Sequence, residues 1–498
     1  MTSLDFTASG GSLAMRLALP VFAAALFLSA FLLFSVQPMF AKLVLPILGG
    51  APSVWSVAMV FFQAVLLAGY AYAHGLARLR STRLAAFIHL ALMGAAFLAL
   101  PIALAPMAQT PPEQGEAVWL IGVFALSVGL PFFAVSANGP LLQAWFARSG
   151  HHQARDPYFL YGASNIGSFA ALIAYPLAIE PLLTLGAQSR GWSAGFALLG
   201  VAIAACAAVA ASAGGDAGMR ADARSAADAP APTLGRRFAW IALAAVPSGL
   251  LVSVTAHIST NVAAAPLLWV APLALFLATF VLVFRERPLV SDATLSAAQI
   301  VFVGAAAAQF VMGSNGFWPT LVIHLGLFFV SAMACHSALY ARRPQAARLT
   351  EFYMLMSLGG VVGGVFCGLL APHLFSTVVE YPLLIVAALF CSAPALAAFA
   401  GGAPDGPLLP QGRAGQAGVL AGALAIVATQ FLAPQSAAGL GLVAFGAFAL
   451  CLRAPRRAAL LALAAGLVAA VSFAAFSPAR SYRSFFGVHK IAELFGEY

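Results

Sequence analysis

Long apolar runs alternate with short polar interruptions along most of the chain. A membrane helix needs about 20 apolar residues. Runs of that kind lie near 17–37, 53–75, 84–104, 118–146, 157–178 and 191–212, and again near 238–258, 265–284, 293–313, 318–339, 350–371 and 381–400. Three shorter runs, rich in Ala, Leu and Gly, lie near 417–433, 438–452 and 457–476. The rhythm predicts an all-α polytopic membrane protein with about 12–15 transmembrane helices. The first run is too long for the apolar part of a cleaved signal and has no convincing cleavage site. It reads as the first membrane helix.

The longest polar gap, 213–237, is rich in Ala, Asp, Arg and Pro and has no apolar period, so it reads as a flexible cytoplasmic linker. It divides the chain into a six-helix half over 1–212 and another over 238–400, followed by the extra helices of 401–476 and a short tail, 477–498. Echoes between the halves suggest a duplication. The densest polar island, 140–181, has a weaker copy at 349–382. An offset of 195 pairs Asp156 with Glu351, Tyr158 with Tyr353, Ser164 with Gly359 and Ser168 with Gly363. Pro52-Ser53-Val54-Trp55 opens the second helix and Pro266-Leu267-Leu268-Trp269 the eighth. Copies in the same order with the same helix parity fit a parallel 6+6 repeat about an axis along the membrane normal, as in the major facilitator fold.

Charge changes the picture in one respect. Only 8% of the 498 residues are charged and 62% are hydrophobic, against about 25% charged in soluble domains. The net charge of +9 therefore reports topology rather than nucleic-acid binding. With the N-terminus inside, 19 of the 24 basic residues fall in the N-terminal segment and the even-numbered loops, and 2 (Lys42 and Arg190) in the odd-numbered ones. That bias predicts a cytoplasmic N-terminus in the inner membrane of a bacterial cell. Fifteen helices would put the tail outside, against its own charge. The five cysteines lie in or beside apolar runs without metal-ligand spacing and read as packing residues.

Polar groups in apolar spans are costly and should face the bundle interior. Gln63, His89, Asn138, Gln143, Asn165, His257 and His324 are such groups. Each is either part of a solute path or interhelical hydrogen-bond glue. Asn165, beside Ser164 and Ser168 on a small-residue face, and Asn138, before Gly139-Pro140, are the cavity candidates. Near the end of the first helix, Pro38, Pro46 and Gly49-Gly50 should stop the helix and let the chain re-enter. Lys42, on the predicted outer face, is either a ligand or lipid-phosphate contact or a snorkelling lysine. No carboxylate lies deep in a span, which weakens a proton relay. Asp156 and Glu351 open helices, where the helix dipole favours acids. Glu180 and Glu380 each follow a proline-interrupted helix on the predicted outer face. The pair is either an outer recruitment site for a cationic solute or two hydrated loop acids. Arg190 is near Glu180 in sequence, but the nearest basic residues to Glu380 are Arg348 and Arg413, both predicted inside, so no local salt bridge is expected for it. The double small-xxx-small pattern of Gly359-Gly360 and Gly363-Gly364 predicts close helix packing. It lies inside an apolar helix with no strand before it, so it is not a nucleotide loop. No catalytic, cofactor or metal set is read.

Several stretches resemble a known family: FSVQPMFAKLVLPILGGAPSVWSVAMVFFQ (34–63), GYAYAH (69–74), PLLQAWFARSGHHQARDPYFLYGASNIGS (140–168), PLLWVAPLALFLATF (266–280), CHSALYARRPQAARLTEFYMLMSLGG (335–360), the APHLF…EYP stretch (371–382) and RSFFGVHK (483–490). They resemble the membrane part of the bacterial fused major-facilitator/spermidine-synthase-like proteins, over most of 17–400. In such proteins RSFFGV opens a soluble aminopropyltransferase-type domain. The cofactor loop and acidic catalytic residues of that domain lie outside this sequence, so no aminopropyltransferase activity is expected of the chain. The resemblance implies a transporter-like core handling a polyamine or related cationic metabolite. The alternative is a membrane anchor or scaffold for a synthase-like domain that is truncated or separately encoded. The expected partners are the lipid bilayer, a cationic small solute and such a domain, and not nucleic acid.

Overall fold

A computed structural model describes residues 13–392 with gaps at 49–51, 80, 110–111, 113–114, 150, 152–158, 213–230, 262–267, 285–288, 313–315 and 346–347, together with Ala395 and residues 480–484 and 487–491. The three additional helices expected over 401–476, and Asp156, lie outside the described residues. The chain is an all-α polytopic membrane protein. Among the described residues, nine helices are long and apolar enough to cross a bilayer, and three shorter apolar ones complete the series. The first half holds α1 (Leu13–Leu48), α2 (Pro52–Ala77), α3 (Thr82–Phe97), α4 (Glu116–Ala147), α5 (Gly162–Leu182, with its first turn at Phe159) and α6 (Leu185–Ser212). The second half holds α7 (Leu234–Asn261), α8 (Val270–Val283), α9 (Asp292–Met312), α10 (Phe317–Ala341), α11 (Leu349–Leu374) and α12 (Glu380–Cys391). A hairpin of β1 (Arg480–Ser484) and β2 (Gly487–Ile491) follows, antiparallel, with Arg480 opposite Ile491.

The proline expectation for α1 is corrected. The helix runs through Pro38 and Pro46 to Leu48. In lipid a broken helix leaves backbone groups with no water to bond, so the helix persists where side chains can satisfy the turn. Around Pro38 the Gln37 Nε2 donates to the Leu33 carbonyl at 3.3 Å. Ser35 Oγ and the Trp192 indole N–H, on α6, both donate to the Leu32 carbonyl.

The proline breaks expected at the ends of α5 and α11 are also continuous, as wider π turns. One spans Tyr175–Ile179, a second Phe366–Leu370, and a third, Ala125–Gly129, lies within α4. Each ends two residues before a proline: Pro181, Pro372 and Pro131. A proline ring collides with the carbonyl four residues back in a regular α-helix. The extra residue of a π turn opens the ladder ahead of it and removes that collision.

Helix pairs repeat between the halves. α1 packs on α5 as α7 packs on α11. The close approach depends on missing side chains: a Cβ on Gly167 would overlap the Phe27 carbonyl, and one on Gly359 or Gly363 the Ile241 or Ala245 carbonyl. Across the halves α2 packs on α11, and α5 on α8. A twofold that exchanges α2 with α8 and α5 with α11 turns one contact into the other. Trp55 and Trp269, the residues of the paired helix-opening echoes, stack on each other with ring centroids 3.7 Å apart. A residue touching its own repeat equivalent lies beside the symmetry axis. Two six-helix halves related this way form the parallel repeat of the major facilitator fold.

Candidate functional site

A cavity of about 160 Å³ lies between the two halves. Its walls come from α1, α2, α4 and α5 on one side and α7, α8, α10 and α11 on the other. The first-half wall mixes polar groups with Leu26, Leu33, Phe34 and Leu66. Ser164 and Ser168 share a face of α5 one turn apart, with Asn165 beside them, and Ser29 and Ser136 come from α1 and α4. Ser168 Oγ donates back to the Ser164 carbonyl at 3.1 Å, as hydroxyls in apolar helices commonly do. The second-half wall is more apolar, with Phe276 and Phe280 one turn apart on α8 and Met356 on α11.

A hydrogen-bonded chain ties the walls together. Gln63 Nε2 donates to Ser248 Oγ at 2.9 Å, and Ser248 Oγ donates to the Gly360 carbonyl at 3.0 Å. Ser248 has one hydroxyl hydrogen, so its use at Gly360 fixes which end of the Gln63 amide faces it. The amide oxygen sits against Gly364, where a Cβ would stand. His336 also lines the cavity, 1% exposed. Its Nδ1 is 2.7 Å from Thr279 Oγ1, which donates to the Phe276 carbonyl at 2.6 Å. Thr279 therefore accepts from Nδ1–H, and Nε2 keeps its lone pair. Asn165 is 5% exposed, and its Nδ2 has no hydrogen-bond partner. Ser357 Oγ, also in the wall, has none either.

Contacts between the halves also form beyond the cavity, toward both ends of the helices. At one end Trp55 stacks on Trp269. At the other end Tyr353 OH donates to Gln143 Oε1 at 3.1 Å, and His74 Nδ1 lies 2.8 Å from Thr350 Oγ1.

The remaining candidates lie away from the cavity wall. Asn138 is fully buried behind it: Oδ1 is 2.7 Å from His89 Nε2, and Nδ2 donates to Ser29 Oγ at 3.1 Å. It holds a lining serine without lining the cavity itself. Lys42 pairs with Glu180 at the Trp55 end, each about 30% exposed. The expectation that Glu380 lacks a cation is corrected. Arg483 of β1 grips it with two nitrogens, at 2.7 and 3.1 Å, and also donates to the Thr377 carbonyl. Glu380 is 1% exposed in this pair. Its neighbour Tyr381 meets His324 Nδ1 at 2.9 Å, with the His257 ring beside both. At the opposite end Glu351 holds Arg237 at 2.7 Å and Arg348 at 3.3 Å.

Sequence reasoning did not single out His336, Ser248, Ser357 or Arg483. A histidine or serine inside an apolar run carries no sign of which neighbour it faces. The tail motif RSFFGVHK was a usable signal for Arg483.

No protein-family model matches the sequence, and no curated protein matches it. Solved structures similar to it include the peptide transporter POT (TM-score 0.48, 14% identity, covering 76% of this chain and 94% of that one). Another is the xylose transporter XylE from E. coli in a partially occluded inward-open conformation (TM-score 0.49, 12% identity, 77% and 99%). A third is the POT family transporter PepTSo (TM-score 0.44, 13% identity, 92% and 99%).

Proposed function

We propose that the chain is a multi-pass inner-membrane transporter that passes a small solute through the central cavity by alternate opening of its two ends. The cavity carries this reading. It sits on the interface of two repeated halves, lies between side-chain contacts that join those halves toward each end, and holds polar groups without partners. Buried polar groups are costly in a membrane and mark solute paths. In transporters built from repeats, the solute site lies at the repeat interface. A single water needs roughly 10–15 Å³ on this measure, so the space suits a solute of small-metabolite size.

The 19-to-2 charge bias supports a cytoplasmic N-terminus, which makes the Trp55 end the outer one. Cysteines at Ala217 and at the exposed Met107 test this orientation, with Met107→Cys labelled from outside and Ala217→Cys from inside. A polyamine-like cation is the solute that the family resemblance implies. On that reading the partly exposed Glu180, beside Lys42, is the acid it would meet first at the outer mouth.

Spin labels test alternate opening. Leu183 and Leu374 report the Trp55 end, and Leu84 and Leu234 the opposite end; all four are exposed. Each pair should show a short and a long distance. Conditions that raise the long population at one end should raise the short one at the other. A single unchanging distance at both ends would overturn transport by alternate opening.

A further inference from the structure

We propose that the solute of this cavity is uncharged and amphipathic, carrying both neutral hydrogen-bonding groups and an apolar ring or chain. This rests on the transporter reading and names the chemistry its site accepts.

The first observation is charge. Among the residues lining the cavity none is Asp, Glu, Lys or Arg. An ion brought out of water into such a space needs an opposite charge or it is strongly disfavoured. The nearest carboxylates at the two ends are occupied: Glu180 by Lys42, Glu380 by Arg483, and Glu351 by Arg237 and Arg348. The same pairs occupy Lys42, Arg237, Arg348 and Arg483. Asp292, at the start of α9, accepts from Ser337 outside the cavity.

The second observation is the mixed lining. Ser164, Asn165, Ser357 and His336 offer neutral hydrogen-bonding groups from both halves. Phe34, Phe276 and Phe280 offer aromatic faces among them. A solute polar all round would leave its groups unbonded against the rings, and an apolar one would leave the serines and amide unbonded.

The third observation is the Asn165 amide, which points to a ligand of its own. Its Nδ2 is buried and unpartnered, while the neighbouring Ser168 hydroxyl bonds back to its own helix. A carbonyl, ether or hydroxyl oxygen on the solute edge satisfies it without any formal charge. His336, with Nδ1–H used by Thr279, presents Nε2 as an acceptor for a solute hydroxyl or N–H.

The test uses the full chain with Ser164→Cys, purified in detergent so that both ends are reachable. Three methanethiosulfonates of matched length serve as probes: 2-hydroxyethyl (uncharged), 2-aminoethyl (cationic) and 2-sulfonatoethyl (anionic). The rate at residue 164 is read by mass spectrometry at pH 6.5 and divided by the rate with free mercaptoethanol. The expected result is an uncharged-reagent rate at least tenfold above either charged one. A cationic rate equal to or above the uncharged rate overturns the proposal and leaves the transporter reading standing in its polyamine form. An anionic rate that high overturns it in the same way. No reaction with any reagent shows that the cavity is never opened, and overturns the transporter reading together with the proposal.

Discussion

The two halves differ most where they look most alike, at the acids near the Trp55 end. Glu180 pairs with Lys42 of its own half, and both side chains keep about 30% of their surface open. Glu380 pairs with Arg483 from the distant tail, and the carboxylate is 1% open. An exposed pair gains little, because water competes with it and salt screens it. A buried pair holds its position because neither partner tolerates the other's absence. The duplicated framework therefore carries an adaptable contact in one half and a fixed one in the other.

Removing Arg483 should break the contrast most strongly. Arg483→Gln leaves Glu380 buried and unpaired, at a cost of about 3–5 kcal/mol. The thermal midpoint in detergent should fall clearly, and adding Glu380→Gln should recover much of the loss. If Arg483→Gln unfolds at the parental temperature, the tail hairpin does not hold α12. Next in size is the helix packing the halves share. Gly363→Ala and Gly167→Ala each push a methyl onto a backbone carbonyl of the paired helix and should cost about 1–3 kcal/mol. Gly360→Ala, whose Cβ would stand 3.9 Å from Ser248 Oγ, should be close to neutral; equal losses at all three would contradict the packing account. Trp55→Leu should cost about 0.5–1.5 kcal/mol through the lost aromatic pair. Trp269→Leu should match it, and the double variant should add little, as a double-mutant cycle will report. Lys42→Gln is the smallest, at about 1 kcal/mol or less, and its effect should vanish at high salt.

The nine described helices long enough to span, and the three shorter apolar ones, were legible as apolar runs, because lipid leaves a spanning backbone few options other than helix. The same physics made the proline rules misleading. Pro38 and the proline-bearing ends of α5 and α11 read as stops by rules learned in water. In lipid, Gln37, Ser35 and the three π turns keep the helix going. Asn165 was legible as a cavity residue because a polar group among small residues on one helix face has few other uses. Asn138 has the same signature yet bonds His89 and Ser29, and no local pattern separates the two cases. Glu380 has no cation near it in sequence because its partner is 103 residues away. Sequence distance says nothing about pairs formed by chain return.

The central claim is that the cavity opens alternately through two ends. Its most direct test combines Ser164→Cys with two locks. One is Trp55→Cys with Trp269→Cys, and the other is Gln143→Cys with Tyr353→Cys, each closed by a short bis-maleimide cross-linker before residue 164 is probed. Reaction of residue 164 with 2-hydroxyethyl methanethiosulfonate is then read by mass spectrometry. Either lock alone should leave residue 164 reactive through the free end, and both together should abolish the reaction. Loss of reaction under a single lock, or its persistence under both, would contradict the account.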